Sequence, residues 1–427
     1  MTILNSLYTG ASGMTAHGGA IGVVGDNIAN VSTIGFKRSR ADFADVLGGS
    51  LGGQRLGAGV RLGSVETQFE QGSIQQTGAP LDLAIRGQGL FVVHGQHGGQ
   101  TSSYYTRDGR FELDNQGFVV DGRGLRLQGY MVDGTGAVAT AATDLDLAGH
   151  DSPAVATTKA QISLNLDPDD VVGPAFDPLD PGTTSNYTTS ATVYDSLGKS
   201  HQIDLHFRKQ ASGQWEWHAM ADGGDITGGT AGTPSQIASG TLTFNASGAL
   251  DTETVTGSSA SFIGAVPNQA IAFDFGDAIT TDGGTGLDGS TQQAGTEGIT
   301  GLAIDGHSAG KLHEIVVDDD GTVRGVYDNG DTHALAKVAL ALFGAEQELT
   351  RAGDGLYEES SASGQPLLAS AGSAGRGALT AGALESSNVD LGAELVTMIA
   401  YQRAFQANVK TVTTADEMLA EVAQLKR

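Results

Sequence analysis

The chain has 427 residues, 49 acidic and 23 basic side chains, a formal net charge of -26 and no cysteine. Those figures exclude a disulfide, a thiolate metal site and a Cys nucleophile, and they argue against nucleic acid and anionic membrane, both of which select basic patches. The 64 glycines, scattered among Asp, Asn and Thr without a triplet period, exclude collagen and point to many tight turns around a mostly β interior.

At roughly 100–200 residues per domain, two or three folded units are expected. The opening residues MTILNSLYTG have neither a basic start nor a long apolar run, so no secretory signal peptide is expected. No apolar stretch reaches the ~18 residues of a membrane span.

Residues 1–40 read as a helix. Leu4, Leu7, Ala11, Met14, Gly18, Ile21, Gly25 and Ile28 alternate three and four apart, the seam spacing of a coiled coil. Gly35 is expected to stop it, with Lys37, Arg38 and Arg40 where the negative helix end attracts cations. Gly10, Gly13, Gly18, Gly19, Gly22 and Gly25 lie inside, each costing about 1 kcal/mol against Ala. Such a helix needs a partner surface.

Residues 41–64 are Gly-rich and aperiodic, which reads as an extended connector. From 65 to 150, LDLAIRGQGLFVV and FELDNQGFVVDGRGLRLQGYMV form the first part of an inner β domain, with Asn115-Gln116-Gly117 and Asp121-Gly122 as hairpin punctuation. An outer β domain is expected as an insertion over 151–298, entered through LDPDDVVGPAFDPLDPG. There Ile203, Leu205 and Phe207 alternate with Gln202, Asp204 and His206, and Trp215 and Trp217 flank Glu216. Strands with one apolar and one polar face suggest an antiparallel meander or sandwich. KLHEIVVDDDGTVRGVYDNG and ALAKVALALF return to the inner domain over 299–370, and 371–386 read as a second connector.

Residues 387–427 repeat the seam with better helix formers: Leu391, Leu395, Met398, Gln402, Phe405, Val409 and Val412. Ser387 and Asp390 fit a capping box. A single such seam is more often a helix on its own core. Two of them bracketing a β middle point to helices that pair. The fold class is therefore mainly β with a terminal α-helical coiled coil, and the assembly seams are Leu4, Leu7, Met14, Ile21 and Ile28 with Leu391, Leu395, Met398, Phe405, Val409 and Val412.

Motifs with chemical meaning are sparse. Gly-x-Ser-x-Gly surrounds Ser50 and Ser308, and Asp318 and His333 would complete a triad in chain order, but neither Ser has the strand-to-helix context of a nucleophile elbow. An esterase therefore remains a minor alternative. Gly198-Lys199-Ser200 and Gly284-x-Gly286-x-x-Gly289 read as turns. His94 with His97 and His201 with His206 lack zinc-protease spacing and read as solvated strand-edge histidines. Asp318-Asp319-Asp320-Gly321 lacks the outer ligands of a calcium loop. No catalytic, cofactor or metal residue is assigned.

The stretch from Asp26 to Lys37, with Asn27, Ile28, Ala29, Asn30, Gly35 and Phe36, resembles the N-terminal signature of the bacterial flagellar rod and hook proteins. SGQPLLASAGSAGRGALTAGALESSNVDLGAELVTMIAYQRAFQANVKTVTTADEML, with Asn388, Asp390, Gln402 and Arg403, is similar to their C-terminal signature. Asp26 stands where the family often has Asn. The inserted domain makes the chain longer than rod relatives and points to the hook branch of the family. The competitors are a distal rod protein with an enlarged insertion and, in another class, a surface carbohydrate-binding β protein.

The resemblance implies a helical homopolymer, a curved tube acting as a universal joint that passes motor torque to the filament in swimming. It implies a place in the extracellular hook of the basal body, reached by type III export without a cleaved signal peptide. Implied partners are further copies of the chain, the distal rod protein, the hook–filament junction protein, the hook cap and the export apparatus, with no nucleic acid and no membrane.

Overall fold

The computed structural model describes residues 3–51 and 54–425. It separates into two compact units: residues 1–150, 314–326 and 332–427, and residues 151–313 with 327–331.

The first unit holds both terminal helices, Ile3–Ala29 and Leu391–Leu425, and a large sheet assembled from both flanks of the chain. Thr332–Leu342 lies between the early and late strands. It pairs antiparallel with Arg126–Met131, where Ala336 faces Met131, and with Leu90–His97, where Leu340 faces Phe91. Leu90–His97 continues into Gln100–Thr106 by a hairpin. Leu90, Phe91, Val92 and Val93 are all buried, as are Val338, Ala339, Leu340 and Ala341. Those continuous apolar runs suit strands covered on both faces.

Two stretches expected as connectors are strands. Ser39–Leu51 and Gln54–Thr67 form an antiparallel hairpin whose register shifts at Asp42/Phe43, Asp45/Leu47 and Leu47/Ser50. The shifts break the alternation, so no period-two pattern marks these strands in the sequence. Within 371–386, Ala378–Ala381 pairs with Leu83–Arg86 and Ala383–Glu385 with Ile74–Gln76. These are short strands buried through Leu379 and Leu384.

The second unit is an antiparallel meander, Tyr187–Tyr194, Ser200–Ala211, Gln214–Asp222, Pro234–Phe244 and Leu250–Thr256 in that order, with a smaller sheet of Ala272–Asp274, Lys159–Asn165 and Gly298–Ile304. The unit extends past 298 because Gly298–Ile304 pairs antiparallel with Lys159–Asn165. Its core joins Leu205, Phe207, Trp215 and Trp217 to Ile162, Leu164, Phe273 and Phe275. Trp215 and Trp217 are fully buried, which stabilises the unit by about 4–6 kcal/mol each in apolar area.

Five of the 64 glycines serve one recurring hairpin device. Asp114, Asp121, Asp133, Asp195 and Asn245 each accept, through a side-chain oxygen, the backbone N–H groups two and four residues on. The residue three on is Gly in a left-handed conformation, as at Gly117 (φ 90°) and Gly198 (φ 78°), where a side chain would be strained.

Burial and the neighbouring Asp170 carboxyl push the Glu297 carboxyl up to about 7. The folded unit thus holds a proton that the unfolded chain, with its usual glutamate value of 4.5, has released, and stability falls as pH rises from about 4.5 to about 7. Glu297→Gln is expected to raise the melting temperature at pH 7.5 by a few degrees and to leave it unchanged near pH 4. Tryptophan fluorescence reads this unit alone, because the two tryptophans of the chain are Trp215 and Trp217. Equal effects at both pH values would reject the raised Glu297 pKa as their cause.

Candidate assembly site

The helix Ile3–Ala29 carries a single carboxylate, Asp26, and no Lys or Arg. Its buried positions are Gly10, Gly13, Ala16, Ala20, Val24 and Asn27, a stripe of small side chains three and four apart. A Cβ at Gly13 would lie 2.4 Å from the Asn408 side-chain oxygen, and one at Gly10 would lie 2.8 Å from Val412 Cγ2. These two glycines therefore admit the C-terminal helix at close range. Their helix-propensity cost is offset by contact, whereas Gly22 and Gly25 face nothing within 4 Å.

The hairpin closes the third side. Val60 N–H donates to Ser12 Oγ at 3.2 Å, and His17, Phe43 and Tyr401 bring a ring from each of the three elements together, with centroids 5.1–6.0 Å apart.

The C-terminal helix is capped by Asp390, whose Oδ1 accepts the N–H groups of Gly392 at 2.8 Å and Ala393 at 3.1 Å. Asp390 is thus the N-cap itself and not the third residue of a box begun by Ser387.

The expected seams divide. Phe405 lies at Gly18 and Val412 at Gly10; Met398 and Val409 are half-buried, like Leu7, Met14, Ile21 and Ile28. Leu4, Leu391 and Leu395 point away from the pair, and with Tyr8, Val396 and Ile399 each is at least 45 % exposed. Leu391, Leu395 and Ile399 succeed one another at intervals of four, an uncovered apolar stripe.

The signature residues act mostly inside the molecule. Asn27 Nδ2 donates to the Ser39 carbonyl and its Oδ1 accepts the Ser39 N–H, both at 2.8 Å. Asn388 accepts the Arg38 N–H at 2.8 Å and donates to the carbonyls of Gln68 and Glu70. Arg351 donates to Asp26 Oδ2 and to the Lys37 carbonyl, both at 3.2 Å, with its guanidinium 5.1 Å from the Phe36 ring centroid. Ile28 and Asn30 are half-buried, whereas Ala29, Gln402 and Arg403 are exposed.

Other expectations need correction. The helix ends at Ala29, and Gly35 (φ 69°) instead permits close approach to Arg107. Lys37 is fully buried on Glu385, not placed at a solvated helix end. His201 is buried, with Asp195 Oδ2 3.1 Å from Nε2 and Asp225 Oδ2 3.2 Å from Nδ1, and stacks on Phe262. Its position two before Ile203 on the inward-facing register decides that burial. His206 is buried too, and burial lowers its pKa.

Ser308 is followed by the strand Leu312–Val317, not a helix, and Asp318 holds Arg324 at 2.6 Å. Among the described residues no group of three or more His, Cys, Asp or Glu side chains is placed to hold a metal ion, and no helix is long and apolar enough to cross a membrane.

Family models match four stretches of the chain: "Flagella basal body rod protein" over residues 7–37, "Flagellar hook protein FlgE/F/G D1 domain" over 84–165, "Flagellar basal body protein FlaE D2 domain" over 130–307 and "Flagellar basal body rod FlgEFG protein C-terminal" over 380–425. The chain is 34% identical over 422 residues to the flagellar hook protein FlgE of Escherichia coli strain K12, covering 97% of this chain and 98% of that one. Similarity to the Salmonella typhimurium protein of the same name is 33% over 426 residues, covering 99% and 100%. For that of Treponema pallidum it is 31% over 477 residues, covering 100% of each.

Proposed function

The chain belongs to the flagellar hook protein family and is a structural subunit of the bacterial flagellar hook, and on that premise we propose that its copies pack through the apolar stripe of the terminal helices into a curved tube. Self-polymerisation within the flagellar basal body follows from the family. The observation that supports this stripe as the seam is the run Leu391, Leu395 and Ile399, exposed on a helix whose opposite face is already filled. An apolar stripe on a capped helix is stabilised by being covered, at about 25 cal/mol per Å² removed from water.

In this reading residues 1–40 and 387–427 form the tube wall, 65–150, 314–326 and 332–370 the inner β domain, and 151–313 with 327–331 the outer surface. The tube works as a universal joint between motor and filament and involves no catalysis. Its neighbours are the distal rod protein at one end, the hook–filament junction protein and the hook cap at the other, and the type III export apparatus that delivers subunits outside the cell without a cleaved signal. Negative net charge keeps the outer surface soluble and lets neighbouring subunits slide.

Electron microscopy of the purified, concentrated chain tests the reading. Curved tubes are the expected result. Straight rods would favour a rod subunit, and a chain that stays monomeric at high concentration would remove the self-assembly claim.

A further inference from the structure

We infer that Glu385 is a positioning residue that couples the two chain ends, so that the stretch around Lys37 and the stretch around Glu385 dock on the inner sheet together or not at all. This concerns a single subunit and holds whether or not copies polymerise.

Glu385 ends the strand Ala383–Glu385 just before the C-terminal helix, and Lys37 follows the N-terminal helix, 348 residues earlier. Lys37 Nζ donates to Glu385 Oε1 at 2.7 Å and Arg107 Nη1 donates to Oε2 at 3.0 Å, with the three side chains 0–2% exposed. Backbone groups fill part of the remaining capacity, while the buried Arg107 Nε has no hydrogen-bond partner. Gly72 N–H donates to Oε1 at 2.7 Å, Lys37 Nζ to the Glu70 carbonyl at 2.6 Å, and Arg107 Nη2 to the Gly87 carbonyl at 2.8 Å. Gly35 N–H donates to the Glu385 carbonyl at 2.8 Å. A Cβ at Gly35 would lie 2.5 Å from the Arg107 carbonyl carbon, so the N-terminal segment is pressed directly onto the residue that shares the carboxylate.

Charges without water are tolerated only in company. Each of these groups pays desolvation on docking, and the attraction that offsets it exists only once the partner is present. Burial pulls the Lys37 ammonium's pKa down, and the Glu385 carboxylate pulls it back only in part. Half-buried Glu346 adds a second carboxylate to the same field. Removing either terminal segment therefore strands a charge in a dry site, which makes docking of the two ends cooperative.

Amide hydrogen exchange on the dilute full-length monomer tests the coupling. Glu385→Gln keeps the shape and removes the charge. It is expected to accelerate exchange in residues 30–40 and 383–390 by one common factor, on the order of a hundredfold, while Leu90–His97 and Thr332–Leu342 keep their protection. Lys37→Met, which leaves the Glu385–Arg107 pair standing, is expected to give a smaller factor that is again equal in both stretches. Loosening confined to the mutated stretch, loosening that spreads through the inner sheet, or a wild-type monomer already unprotected in both stretches would each overturn the inference. A wild-type chain that forms no polymer, with the common factor still seen in the variants, would instead count against the assembly reading alone.

Discussion

Removal of residues 390–427 is expected to leave a soluble chain with intact β units that forms no tube, and removal of residues 1–30 is expected to do the same. Among the described side chains of the C-terminal helix only Glu394 and Ala415 are buried, so its loss takes almost nothing from either sheet. Lys37, Arg107 and Glu385 all survive both deletions, and the junction they form keeps the remaining end in place. The N-terminal helix fares worse without its partner. Its glycine stripe is then open to water, and six interior glycines at about 1 kcal/mol each leave it unable to hold its shape. Far-ultraviolet circular dichroism should therefore lose the helical signal of both ends when only the C-terminal one is removed. Fluorescence of Trp215 and Trp217 should not change. Exposure of those tryptophans, or collapse of the β signal, would place the helices in a core and sink the idea that they are held for assembly.

The elements legible in the sequence are those decided by neighbours along the chain. Ile203, Leu205 and Phe207 show period two because one face of their strand is buried and the other is not, and the terminal seams show helical spacing although Leu4, Leu391 and Leu395 lie on a face left uncovered within the subunit. Elements decided across the chain left no such trace. The hairpin of Ser39–Leu51 and Gln54–Thr67 is held by pairing that slips register three times, so its glycines and polar residues look like a connector. Lys37 and Glu385 meet from positions 348 apart, and nothing local distinguishes a lysine bound for a dry site from one at a solvated helix end. His201 is a half-readable case: it shares the inward register of Ile203, which signals burial, but its carboxylate partners come from other loops.

The same contrast separates the signature residues from the apolar stripe. Asn27, Gly35, Phe36 and Asn388 are spent inside the subunit, fastening helices to hairpin and sheet. Leu391, Leu395 and Ile399 are spent on nothing within it. A subunit that must pass torque needs both kinds: joints that do not yield within the copy, and contacts between copies that re-form as the tube bends.

Gly13→Leu is expected to abolish assembly while leaving both β units folded. The Cβ alone would sit 2.4 Å from Asn408 Oδ1 and 2.6 Å from its Cγ, closer than carbon atoms tolerate, and the rest of the leucine would have to displace the helix axis. Overpacking of this kind costs about 1–3 kcal/mol. It falls on a pair already weakened by glycine. Alanine is the informative intermediate: Gly13→Ala gains about 1 kcal/mol of helix propensity but must push aside the end of the Asn408 side chain. Gly13→Ala with Asn408→Ala should therefore assemble better than Gly13→Ala alone. Gly22→Ala, with nothing within 4 Å, serves as the control and should raise helicity without touching assembly. Helicity by circular dichroism and tubes by electron microscopy read the series. Normal tubes from Gly13→Leu would mean that the glycine stripe does not set the spacing of the helices, and the close approach of the two chain ends would then lack the role given to it.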